Sequence, residues 1–150
     1  MPDVPDRVAG ASDQDWRDGR KEAAATHARE LERRRQVEAA QARAMIAEFV
    51  AEANRRGIAP VPLRARSYDG RLRFRTPLQG WYLRRNESVA VGTDGEFYVL
   101  SVPRRLASLV TGARPEPGDP PLILGKGARD GESLDLVDAL RIALGDHPRR

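Results

Sequence analysis

The sequence predicts an α+β protein: a long N-terminal helix, an antiparallel β-meander of four to five strands, then a short helix and a C-terminal helix packed on the sheet. Three observations predict it. The proline-free run from residue 20 to 56 is rich in Ala, Glu, Arg and Gln, all strong helix formers. From Leu63 onward the apolar period changes from 3.6 residues to two, which is the signature of strands. Asp69-Gly70 and Asp94-Gly95 each sit between alternating segments, where they read as hairpin turns.

Residues 1–19 hold two prolines, two glycines and five aspartates. They read as a flexible acidic tail with one large apolar group, Trp16. Residues 20–56 read as helix. Arg55 and Arg56 suit its negative end and Gly57 suits the left-handed position beyond it. Ala39, Ala42, Met45, Ile46, Phe49, Val50 and Ala53 recur at steps of three and four, a stripe that faces a core. Traced backward, the stripe meets Glu38, Arg35 and Leu31 and fails. Residues 20–38 are therefore expected to form a polar helical extension. Residues 39–145 are expected to form a single α+β domain, with a tail at 146–150.

After an extended connector at Pro60 and Pro62, strands are expected at Leu63–Tyr68, Arg71–Thr76, Trp81–Arg84, Ser88–Gly92 and Glu96–Val102. Leu106, Leu109 and Val110 give a short apolar stripe, closed by Gly112. Residues 113–121 hold four prolines and read as loop. Leu122–Leu124 reads as a short strand, and the glycine-rich stretch after it as a loop. Ser133 is placed to cap a final helix whose apolar face is Val137, Leu140 and Leu144, ended by Gly145.

The net charge of +4 is uneven. Residues 1–60 carry 11 basic and 11 acidic groups, residues 61–105 carry 9 and 4, and residues 106–150 carry 6 and 7. All but two of the 26 basic residues, Lys21 and Lys126, are arginine. The basic character belongs to the middle third, and local fields rather than the global charge steer partners.

Within that third, a tight Asp69-Gly70 turn sets the register. Tyr68 faces Arg71, Arg66 faces Arg73, and Arg64 faces Arg75, all on one side of the sheet. The other side receives Leu63, Ala65, Ser67, Leu72, Phe74 and Thr76. Like charges directly opposite each other destabilise a ladder, so the five-arginine face needs an offset. Internal carboxylates, solvent and salt, or a bound polyanion would each supply one. Arginine suits phosphate because its planar fork binds two oxygens at once, and Tyr68 suits base stacking.

The following strands are apolar on both faces, so both are expected to be covered. Tight turns would put Tyr82, Val89, Val91, Tyr98 and Leu100 on one face. Trp81, Leu83, Ala90, Phe97 and Val99 would take the other.

Several chemistries are excluded or weakly signalled. The absence of cysteine removes disulfides, thiol catalysis and cysteine-ligated metals. His27 and His147 stand apart without metal spacing, so no metal and no cofactor is expected. Asp130, Glu132, Asp135 and Asp138 cluster near Ser133, where negative charge suits a helix start. The stretch GKGARDG lacks the P-loop order. No long apolar run predicts a membrane-crossing helix, and no secretory signal is expected from the first residues.

The expected function is that of a small non-catalytic cytoplasmic binding or regulatory protein. A protein partner would be engaged through Leu31, Arg33, Arg34 and Arg35 of the polar helix and through the arginine hairpin face. The alternative is a nucleic-acid- or ribosome-associated protein that binds phosphate through Arg64, Arg66, Tyr68, Arg71, Arg73 and Arg75. A small enzyme is the third reading. Arginine and alanine abundance matches a GC-rich bacterial genome.

Overall fold

The computed structural model describes residues 7–105, 108–125 and 132–146, with side chains described from Ser12 onward in the first helix. The chain separates into two compact units, which meet between Val37 and Glu38. The architecture is α+β.

Helix α1 spans Arg7–Arg56. It starts earlier than the sequence predicts: no proline intervenes after Pro5, and the helix runs on through Gly10 and Gly19 despite their weak propensity. In the first unit, every described side chain up to Val37 is exposed. Local pairs line it: Gln14 Nε2 donates to Asp18 at 3.2 Å, and the Arg20 guanidinium lies 4.5 Å from the centre of the Trp16 ring. Such pairs add a few tenths of a kcal/mol each.

In the second unit the predicted stripe is buried: Ala39, Ala42, Ile46, Phe49 and Ala53 are all in the core. The helix ends as expected at Gly57, whose φ is 71°. Gly57 N–H donates to Asn54 C=O at 3.2 Å, and Ile58 N–H reaches back to Ala53 C=O at 2.9 Å. This crossed pair satisfies carbonyls that the helix leaves open.

The main sheet holds β1 (Val61–Ser67), β2 (Arg73–Tyr82), β3 (Val89–Gly92), β4 (Phe97–Val99), β5 (Ser101–Val102) and β6 (Pro117–Gly118), in the order β5-β1-β2-β3-β4-β6. The expected strictly antiparallel meander is corrected in one place: β5 pairs parallel with β1. Only Leu100 separates β4 from β5. Its N–H donates to Ser88 C=O and its C=O accepts from Arg66 N–H, both at 2.8 Å. Laid flat, the strands from β5 to β4 would hold those two about 19 Å apart. One residue spans at most about 7 Å. The sheet therefore rolls up until β4, next to one edge, runs into β5 at the other edge through Leu100.

Two predicted strands, Arg71–Thr76 and Trp81–Arg84, are merged in β2, which runs straight through Pro77. Proline lacks the N–H a ladder needs. The register shifts between Pro62 and Arg64 of β1 to accommodate it. Within this bulge the Thr76 hydroxyl donates to Leu63 C=O at 2.6 Å and accepts from Leu78 N–H at 3.2 Å. Further along, Gly80 faces Gly92. A Cβ on Gly80 would stand 2.0 Å from the Val91 carbonyl oxygen, so glycine is required where the rolled strands approach closely.

The facing residues in β2–β4 differ from expectation by one position. Tyr82 pairs with Ala90 and Ala90 with Tyr98, while Trp81 pairs with Val91 and Val91 with Phe97. The cause is loop parity. Leu83 N–H donates to Val89 C=O, and Gly92 N–H donates to Glu96 C=O, so both connections hold an odd number of residues instead of two. An odd change exchanges the faces.

Leu63, Ala90, Tyr98 and Leu100, with Leu78 and Tyr82, fill the inside of the roll. Trp81, Leu83, Val91 and Phe97 face outward onto Ile46 and Phe49 of α1 and onto a C-terminal helix, α3 (Leu136–Ala143). Trp81 and Phe49 meet edge-to-face with centroids 5.5 Å apart, and Trp81 Nε1 donates to Ile58 C=O at 3.1 Å.

Between the sheet and α3 lie a short helix, α2 (Ser108–Thr111), and a small second sheet, β7 (Ile123–Leu124) with β8 (Leu134–Asp135). The α2 stripe is corrected: Leu109 and Val110 are exposed, Val110 at 91%. The cap is corrected too. Ser133 does not start α3, because Leu134–Asp135 pairs first as a strand and Asp135 takes the cap position. Leu106, Lys126, Asp130 and His147 lie outside the described residues. The α3 end repeats the crossed pattern of α1 at Gly145. Arg56 joins the two ends, donating to Asp146 at 2.9 and 3.1 Å and to Leu144 C=O at 3.3 Å. Arg56 holds the Asp146 carboxyl below its ordinary range. Arg55, with Arg56, lowers Glu52 to about 2.

Candidate functional site

The β1–β2 hairpin carries the arginines because its inner positions are filled. Leu63, Ala65, Ser67 and Phe74 are buried, so the alternating positions point out of the roll. The pairing matches the predicted register: Arg64 with Arg75 and Arg66 with Arg73. Arg64, Arg71, Arg73 and Arg75 are exposed and Arg66 is half-buried. Tyr68 stands at the tip, 72% exposed.

The tip itself is built around Asp69. Gly70 is left-handed at φ 72° while Asp69 is not, so the turn differs from the doubly left-handed type that Asp-Gly suggests. Gly70 N–H donates to Ser67 C=O at 2.8 Å. The Asp69 carboxylate accepts from the Ser67 hydroxyl and from Arg71 N–H. Those two bonds, the hydroxyl first, lower its pKa. Four residues separate the Ser67–Leu72 pair, an even number, so the register survives the different turn.

The sequence left open which carboxylate faces the arginines. Among the described residues, the one that ion-pairs with them is Glu87, in the loop between β2 and β3. Its carboxylate accepts from Arg66 Nη2 at 3.1 Å and lies 3.7 Å from Arg73. Glu87 is also the one non-glycine residue at positive φ among those described, at 57°. A β-carbon is unfavourable there. The loop enforces it: Glu87 N–H donates to Arg84 C=O, and Asn86 Oδ1 accepts from Ser88 N–H and Oγ. Arg66 Nε is buried with no hydrogen-bond partner. Arg64, Arg71 and Arg75 make no ion pair among the described residues.

More cations adjoin the hairpin. Arg104 lies 3.8 Å from Asp69. Ala113 N–H donates to Arg75 C=O at 2.7 Å, which seats the α2 segment beside β2. A cavity of about 440 Å³ there is lined by Arg105, Arg114, Ser108 and Thr111, among others, with no carboxylate among the described residues. Sequence reasoning missed Glu87, Arg104, Arg105 and Arg114. Glu87 carried one signal: it is the only acid between Asp69 and Asp94.

The other candidates lie elsewhere. Leu31, Arg33, Arg34 and Arg35 are exposed on the first unit of α1, and Arg33 pairs with Glu30 at 3.4 Å. A shallow groove between α1 and α3 is lined by Met45, Phe49, Val137, Leu140 and Leu144, with Glu48, Glu52 and Arg141 at its rim. Among the described residues, no group of His, Asp and Glu is placed to hold a metal, and no helix is long and apolar enough to cross a membrane. Comparison with protein-family models, curated proteins and solved structures finds no match to this chain.

Proposed function

We propose that this is a non-catalytic binding protein whose arginine hairpin face engages the phosphates of a single-stranded nucleic acid. The observation that supports it is the exposure of Arg64, Arg71 and Arg75 without carboxylate partners among the described residues. Guanidinium forks suit phosphodiester oxygens, and Tyr68 at the tip adds a stacking surface of the kind single strands use. Arg104, Arg105 and Arg114 lengthen the cationic track.

The test is fluorescence anisotropy with a labelled oligouridylate of about twelve nucleotides, a length within single-strand site sizes. Log K should fall linearly with log salt. The double variant R64A/R75A should bind more weakly, and its slope should be shallower by about 1.4, or about 0.7 for each lost phosphate contact. A flat salt response in the wild type would sink the reading.

A second reading, a protein partner on the polar helix, is favoured by the exposed Trp16, Leu31 and Val37. It predicts a partner whose binding survives R64A/R75A and is lost on deletion of residues 1–35.

A further inference from the structure

We infer that Arg66 and Arg73 form a phosphate site which the chain itself occupies with the Glu87 carboxylate, so that Glu87 competes with the ligand. The inference rests on the reading of the hairpin face as a phosphate-binding surface, and adds how that surface is regulated.

Three observations carry it. First, Arg66 and Arg73 sit directly opposite in the ladder, where their repulsion calls for an anion between them. Glu87 supplies one, at 3.1 Å from Arg66 and 3.7 Å from Arg73. Second, the anion is held at a backbone cost. Glu87 occupies the left-handed region at φ 57°, where glycine or asparagine is the ordinary choice. That backbone cost opposes the internal ion pair and would be recovered if Glu87 left this region on displacement. Third, the occupancy is incomplete. Arg66 donates to Glu87 through Nη2 only, while its Nε is buried without a partner. A carboxylate held through one oxygen leaves half the fork unused. A phosphate, with its tetrahedral set of oxygens, can take Nε and Nη2 of Arg66 together and still reach Arg73.

Displacement would turn an internal ion pair into an intermolecular one. The Glu87 carboxylate would move into water, where it is fully solvated, and Arg66 would gain a full complement of bonds. Arg64 and Arg75, paired one position further along the face, would contact the flanking phosphates without competition.

The experiment compares wild type, E87Q and E87G by anisotropy with the same labelled oligouridylate across a salt series. Circular dichroism melts check that each variant is folded. E87Q keeps the size and the strained backbone but removes the charge. E87G removes the charge and the strain together. Both should bind about threefold or more tighter than wild type at low salt, with the salt slope steeper by about 0.7, the value of one additional phosphate on a single strand. R66A on the E87Q background should abolish that gain. If wild type binds with a salt slope and E87Q binds no tighter, the competition is overturned and the phosphate-binding reading stands. If no variant binds at low salt, that reading fails and this inference with it. Tightening in E87G but not in E87Q would assign the effect to backbone freedom and would also overturn it.

Discussion

The outer surface of the rolled sheet has two halves that differ in what covers them. Beyond Gly80, the outward residues are Trp81, Leu83, Val91 and Phe97, and helices α1 and α3 lie over them. Before Pro77, the outward residues are Arg64, Arg66, Arg73 and Arg75, and four of the five hairpin arginines are exposed. The same strand, β2, supplies both kinds of surface. The change happens across the Pro77 bulge, where Thr76 carries the ladder in place of a backbone donor. A single strand can thus be a core element at one end and a binding surface at the other, and side-chain choice at alternate positions marks the border.

The largest test of this division falls on the covered half. Trp81→Ala removes the edge contact with Phe49 and the bond to Ile58, and should destabilise the protein by about 3–5 kcal/mol in a denaturant titration. A loss below about 1 kcal/mol would mean that α1 is not anchored through Trp81. The junction comes next. Thr76→Val keeps the shape but leaves the Leu63 carbonyl and the Leu78 N–H short of a partner, and should cost about 1–3 kcal/mol. The open half should respond least. Arg75→Ala should shift stability by no more than about 0.5 kcal/mol, while weakening oligonucleotide binding. A large stability loss there would show that the face serves the fold rather than a ligand.

The two halves were also unequally legible in the sequence. The arginine register was readable because its alternation is strict and the hairpin loop, whatever its turn type, contains an even number of residues. The covered half misled by one position because the Arg84–Ser88 and Thr93–Gly95 connections hold an odd number. The first of these contains Glu87, and nothing in a glutamate announces a left-handed backbone. The α1 stripe and both glycine-ended helices were plain, since they rest on local periodicity and on Gly57 and Gly145. The closure at Leu100 was invisible: it joins residues far apart in sequence, and no local pattern records that a strand has changed neighbours. The site's anion was hidden for the same reason, since Glu87 meets Arg66 across 21 positions.

The junction of β4 with β5 at Leu100 also bears on how the chain reaches its fold. Each of the pairings β1–β2, β2–β3 and β3–β4 joins strands that follow one another, so each closes a short loop. The pairing of β5 with β1 instead joins Ser101 to Arg66, and its closure entropy is correspondingly larger. Leu63, Ala90, Tyr98 and Leu100 come fully together only when that last pairing forms. With that pairing unformed, the meander would be an open, twisted ribbon with its apolar side in water. The arginine hairpin can be complete at that stage, and its cations would keep the unclosed ribbons of neighbouring chains apart.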